Sequence, residues 1–126
     1  MQKFETDVFY MTVHPNAFIE FTVKKNCVLK AKDVWQSQQL SANYLPNTKF
    51  YVLMEAESDF ELSLDARQAG ASKQYYSQAH ALALYSKLTI HKILGNVYTK
   101  FSRPHTPTKF FDDKQQAINW LNGFRP

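Results

Sequence analysis

The chain has 126 residues, 44% of them apolar and 21% charged, with ten Phe, seven Tyr, two Trp and only three Gly. This is the composition of one globular domain spanning 1–126 with a core of its own, not of a linker or a disordered segment. The net charge is +4, and the lone Cys27 excludes an intrachain disulfide and a cysteine-built zinc site.

The opening MQKFETDVFY places acids where a signal peptide carries its apolar stretch, so the expected location is cytoplasmic. No apolar run approaches the roughly 18 residues of a membrane span. Residues 7–13 are rich in β-branched and aromatic types, Pro15-Asn16 marks a turn, and 18–24 alternate with Ile19, Phe21 and Val23 inward. Together they predict an N-terminal antiparallel hairpin.

Residues 26–29 lead into a helix over 30–44, with Ala31, Val34, Trp35, Gln38, Ala42 and Leu45 near one face and Lys30, Lys32, Asp33, Gln36 and Gln39 mostly away from it. Pro46-Asn47 ends it. The apolar run at 49–56 predicts a strand covered on both faces. An acidic loop follows, with Glu55, Glu57, Asp59 and Glu61 alternating. Ser63 can cap a helix over 64–77, with Asp65 in its first turn and Ala66, Ala69, Gly70 and Tyr76 on the packing side.

HALALY at 80–85 predicts a short strand, and Ser86 can cap a helix over 87–102 with Ile90, Leu94, Val97, Tyr98 and Phe101 in its apolar stripe. Pro104 and Pro107 stop that helix around His105-Thr106. Residues 108–111 form a strand, and Asp112 or Asp113 caps a last helix with Ala117, Trp120, Leu121 and Phe124 on its apolar face and Gly123 at its end. The order β-β-α-β-α-β-α-β-α predicts an α/β domain with a mixed sheet, parallel in its centre.

Three stretches carry a resemblance to a known family. They are Ala81-Leu82-Ala83-Leu84 before the Ser86 cap, the segment from Arg103 through Pro104-His105-Thr106-Pro107-Thr108-Lys109-Phe110-Phe111 to Lys114, and Ala117-Ile118-Asn119-Trp120-Leu121. A Pro-x-x-Pro-Thr-x-x-Phe segment before an acid-capped helix ending in Trp-Leu resembles the small stand-alone bacterial proteins of the STAS-like, SpoIIAA-like fold. Upstream of residue 80 only the order of elements agrees. The resemblance implies a non-catalytic regulatory or protein-interaction module without cofactor. In anti-sigma-factor antagonists of this fold the partner binds near the loop after the third strand, and a Ser or Thr at the start of the next helix is the phosphorylation switch. Here that region holds Glu57, Ser58, Asp59, Glu61 and Ser63, but the family's Asp-Ser-Ser/Thr-Gly phosphosite is missing. A phosphate on Ser58 would sit between Glu57 and Asp59, against like charge.

Catalytic constellations are hard to assemble. There is no phosphate-cradling glycine loop, no Gly-x-Ser-x-Gly and no His-Glu-x-x-His. His14, His80, His91 and His105 are scattered, and His91 lacks ligand types at helical spacing. Cys27 reads as a packed small side chain, and the alternating acids as a solvated run. An enzyme is therefore not expected.

Charge is unevenly spread: residues 1–63 hold six basic and eight acidic groups, residues 64–126 nine and three. Lys87, Lys92, Lys100, Arg103 and Lys109 form a candidate anion-binding face, for phosphates or lipid headgroups. Specific nucleic-acid binding is not expected, because Tyr98 and Phe101, which could stack on bases, belong to the core stripe. A second class of function is a small-molecule or lipid pocket lined by Phe50, Tyr51, Phe60, Tyr75, Tyr76 and Tyr85. A protein partner is expected, and an apolar strand edge could also pair two copies.

Overall fold

The structure is a computed structural model that describes residues 1–56, 60–88 and 104–125. Its strands are β1 (Gln2–Glu5), β2 (Phe9–Val13), β3 (Phe18–Val23), β4 (Val28–Leu29), β5 (Phe50–Ala56), β6 (Glu61–Leu62), β7 (Ala79–Tyr85) and β8 (Thr108–Phe111). The described helices are α1 (Ala31–Tyr44), α2 (Leu64–Ala71), α3 (Lys73–Tyr76) and α4 (Lys114–Asn122).

Six strands form one sheet in the order β1-β2-β3-β5-β7-β8. β1, β2 and β3 are antiparallel neighbours, while β3, β5, β7 and β8 run parallel. The mixed sheet with a parallel centre is thus present, and the expected hairpin is β2–β3. It is extended by β1, which the sequence reading left unassigned because Gln2, Lys3 and Glu5 are exposed and carry no apolar alternation.

Register decides the two faces. Ile19, Val52 and Leu82 lie side by side, with Phe21, Met54 and Leu84 in the next row of the same face. The opposite face carries Tyr51 and Ala81, then Leu53 and Ala83. In β5 the run Phe50, Tyr51, Val52 and Leu53 is buried throughout, as expected of a central strand covered on both sides.

α4 covers the second face. Asp113 caps it, accepting from the Gln116 amide at 2.9 Å, and Ala117 and Leu121 are buried beneath it. Trp120 meets Phe111 with ring centroids 5.7 Å apart, and the Tyr51 hydroxyl donates to Phe124 O at 3.4 Å. Gly123 ends the helix in right-handed geometry (φ −64°). Its value is space, since a Cβ there would sit 3.2 Å from Trp120 O.

α1, α2 and α3 cover the first face. Asp33, expected to point away from the core, is only 4% exposed. Its carboxylate turns back to accept the Lys30 amide at 2.9 Å, closing the first turn of α1. Ser41 is buried on the same side, while Trp35 is only half-buried.

The single helix expected over 64–77 is two, broken at Ser72. Ser72 has extended backbone (ψ 160°), and its hydroxyl accepts from the Tyr75 amide at 3.1 Å while donating to Ala69 O at 2.6 Å. The polar side chain ends one helix and starts the next. Tyr76 turns outward, with Lys49 Nζ 4.2 Å from its ring centre. Of the helix expected over 87–102, Lys87 and Leu88 are described and irregular, and the rest, including Ile90, His91, Leu94, Val97, Tyr98 and Phe101, lies outside the described residues.

The Pro104 to Pro107 segment, expected to stop a helix, is anchored to β7. Thr106 is fully buried with its hydroxyl donating to Ala79 O at 3.2 Å, and the Leu82 amide donates to Pro107 O at 2.9 Å. The segment docks on β7 and aims β8 along it.

Candidate functional site

The two layers do not close completely over the first face. A cavity of about 170 Å³ remains between the sheet and α1–α3. Its floor is the two register rows, Ile19, Val52 and Leu82 with Phe21, Met54 and Leu84. Its roof is Val34 and Ser41 of α1, Ala66 and Gly70 of α2, and Tyr75 of α3. Small residues on α2 bring that helix close yet fill little space, which is why room is left. Phe60, Tyr85 and Phe110 stand at its sides.

Few polar groups reach this space, and most are already engaged. The Ser41 hydroxyl donates to Ser37 O at 2.7 Å. Gln38 Nε2 donates to Tyr75 O at 3.0 Å. Glu55 is held by Lys114 at 3.5 Å. Gln78 is different: its Oε1 is buried, and no donor among the described residues reaches it. An apolar hollow with a handful of polar groups is the usual form of a small-molecule site.

Of the aromatics expected to line a pocket, Phe50, Phe60, Tyr75 and Tyr85 do. Tyr51 does not, because alternation along β5 turns it to the α4 face, where its ring lies between His80 and Arg125. Tyr76 does not, because the turn at Ser72 rotates it to the surface. Gln78 escaped the sequence reading altogether. It falls in the two-residue connection between α3 and β7, where no periodicity speaks for it.

The expected partner-binding segment is only partly in view. Glu57, Ser58 and Asp59 lie outside the described residues. Glu55 and Glu61 belong to strands rather than to a loop: Glu55 to β5, and Glu61, exposed, to β6, which pairs in parallel with β4. That pairing brings the starts of α1 and α2 together. Ser63 Oγ accepts the Ala66 amide at 3.1 Å and donates to Asp65 Oδ1, which also accepts the Ala31 amide at 3.4 Å. The Ser63 hydrogen bond, helped by the Ala31 and Ala66 amides and opposed by desolvation, holds the Asp65 carboxyl below its ordinary range. Ser63 is thus a working helix cap.

Of the candidate anion-binding residues, Lys87 follows the end of β7 and Lys109 sits on the edge strand β8, both exposed. Lys92, Lys100 and Arg103 lie outside the described residues. Cys27 is half-buried, its thiol directed at Asp7 O at 3.5 Å. Among the described residues no three His, Cys, Asp or Glu side chains converge on one point, and no helix is long and apolar enough to cross a membrane. A wider depression between Leu64, Arg67, Gln68 and His105 is walled by exposed side chains.

Residues 5–125 match the model of a family described as a domain of unknown function, DUF7793. No curated protein matches the chain. Among solved structures, an uncharacterised DUF3478-family protein with a SpoIIAA-like fold from Shewanella loihica PV-4 is similar. It shares 18% identity at a TM-score of 0.59, over 90% of this chain and 91% of that one. A protein of unknown function from Arthrobacter sp. FB24 aligns at 18% identity and a TM-score of 0.31, over 89% and 97% of the two chains. The Shewanella likeness shows the fold: this chain, too, is SpoIIAA-like.

Proposed function

The chain belongs to the DUF7793 family, and we propose that it is a non-catalytic binding domain that holds a small apolar molecule between its sheet and helices α1–α3. The cavity carries the proposal. Its walls are mostly apolar, with a few hydroxyls and amides among them, and it is partly open to solvent, so a small apolar molecule can enter and be sheltered there. The polar groups on the walls are hydroxyls and amides, with one carboxylate, Glu55, engaged by Lys114. That set orients a ligand and lacks a nucleophile paired with a base.

Native mass spectrometry of protein freshly purified from its source cell tests the role. A stoichiometric small adduct is expected on the wild type and not on Ala66→Leu, whose side chain grows into the cavity. A bare wild-type mass counts against the role.

A regulatory protein-interaction module is the second reading, and one observation favours it. Leu64, directly after the Glu61–Ser63 segment, is 63% exposed, an apolar side chain standing in water beside charged Glu61 and Asp65. A Glu61→Lys/Leu64→Asp double variant should lose partners that the wild type captures. An unchanged set of partners removes this surface from consideration.

A further inference from the structure

The hollow is long rather than round. A sphere of 170 Å³ is about 7 Å across, little more than two residues along a strand at roughly 3.3 Å each. The floor, however, follows β5 from Phe50 through Val52 and Met54 to Ala56, which is about 20 Å of strand. Leu82, Leu84 and Ser86 accompany it along β7. The same volume spread over that length leaves a narrow channel. Its two ends differ. Phe50 and Ala79, Cα partners at the starts of β5 and β7, are each 2% exposed. Met54, Ala56, Leu84 and Ser86, at the ends of the same strands, are half-buried. The channel is therefore closed where the parallel strands begin and meets solvent where they end, the side from which ligands commonly approach such sheets.

On the binding role proposed above, we infer that the guest is a single-chain amphiphile with one unbranched alkyl or acyl tail. The tail enters between the ends of β5 and β7, its terminal methyl reaches the Phe50 end, and its polar head stays in water beside Ala56 and Ser86. An extended tail matches the channel in width and length, and its methylenes gain by leaving water. The head stays outside because a polar group carried to the closed end would lose its hydration. The ligand class is that of medium-chain fatty acids and alcohols rather than of fused rings.

Titration of the full chain with butanol, hexanol and octanol, by calorimetry or NMR, tests the inference. Cyclohexylethanol, with as many carbons as octanol, is the compact control. Affinity should rise roughly fourfold for each added methylene through octanol, the gain from burying one. A round hole stops rewarding length once it is full. Octanol should bind roughly tenfold more tightly than cyclohexylethanol, the worth of about two methylenes that a ring cannot carry to the far end. Nuclear Overhauser contacts from the octanol methyl should fall on Phe50, and those from its hydroxyl-bearing carbon on Ala56 and Ser86. Val52→Phe narrows the channel midway, so hexanol and octanol should bind this variant alike. A plateau between hexanol and octanol on wild type, equal binding of octanol and cyclohexylethanol, or reversed contacts overturns the single-chain inference and leaves the cavity role standing. Binding of no alcohol overturns it too, and failure of benzene as well overturns the cavity role itself. The wild-type series decides the matter even where Val52→Phe fails to fold.

Discussion

At the scale of single residues, side chains that answer backbone groups explain most of the local structure. Ser63 is the clearest case. Ser63→Ala is expected to cost about 1 kcal/mol by removing the cap on Ala66 N, measured as a shift in the urea midpoint. The same substitution should move the Asp65 carboxyl back up toward the ordinary range, read from its side-chain carbon shift in an NMR titration. The direction of the pH effect follows. A carboxyl held low when folded contributes stability that is present above the ordinary carboxylate range and is lost as pH falls through its lowered folded value. The gap between wild type and Ser63→Ala should therefore narrow at strongly acid pH without closing, because the neutral cap on Ala66 N persists there. Ser63 was legible in the sequence because a hydroxyl before an acid-bearing helical pattern has one common use. Asp33 was misjudged because a charged residue on an amphipathic helix is ordinarily solvated, and only the fold shows its carboxylate folding back on Lys30 N. Gln78 was not legible at all, since its interest lies in a missing partner, and partners are a property of three dimensions.

Among elements, the strands with strong apolar patterns were visible, as was β8 at Thr108–Phe111 after the prolines, whereas the two-residue strands were not. β3, β5 and β7 hold the buried rows of the sheet, and their alternation or continuous apolar character placed them within a residue or two. β4 and β6 have two residues each, too few for any periodicity, yet their pairing sets the two helix starts side by side. The break at Ser72 was hidden for a different reason: serine is tolerated inside helices, and its back-bonding to Ala69 O wins only because α3 must turn to meet β7. Ser72→Ala is expected to destabilise the domain by about 1 kcal/mol through loss of the α3 cap, read from chemical denaturation. Leu53 sits at the centre of β5 with no exposure, so Leu53→Ala should cost about 2–5 kcal/mol in the same measurement. A cost below 1 kcal/mol would mean that the α4 face is loosely packed.

For the molecule as a whole, the mixed sheet follows from the alternation of strands and helices, and the SpoIIAA-like fold was legible from that order together with the stretches at 81–84, 103–114 and 117–121. The cavity was legible only as an excess of aromatics. Which rings face it depended on strand register and on the turn at Ser72, and those assigned Tyr51 and Tyr76 elsewhere. If the hollow is a binding site, filling it should trade function for stability. Ala66→Leu is expected to raise stability by about 1 kcal/mol while abolishing uptake of small apolar probes. The most direct measurement is a ¹H–¹⁵N spectrum of the isotopically labelled chain titrated with benzene. The expected result is saturable shifts concentrated at the amides of Phe21, Val34, Ser41, Val52, Ala66 and Leu82, absent in Ala66→Leu. Shifts confined to surface residues such as Leu64 and Tyr76, or none at millimolar benzene, would contradict a ligand-holding cavity between the sheet and its helices.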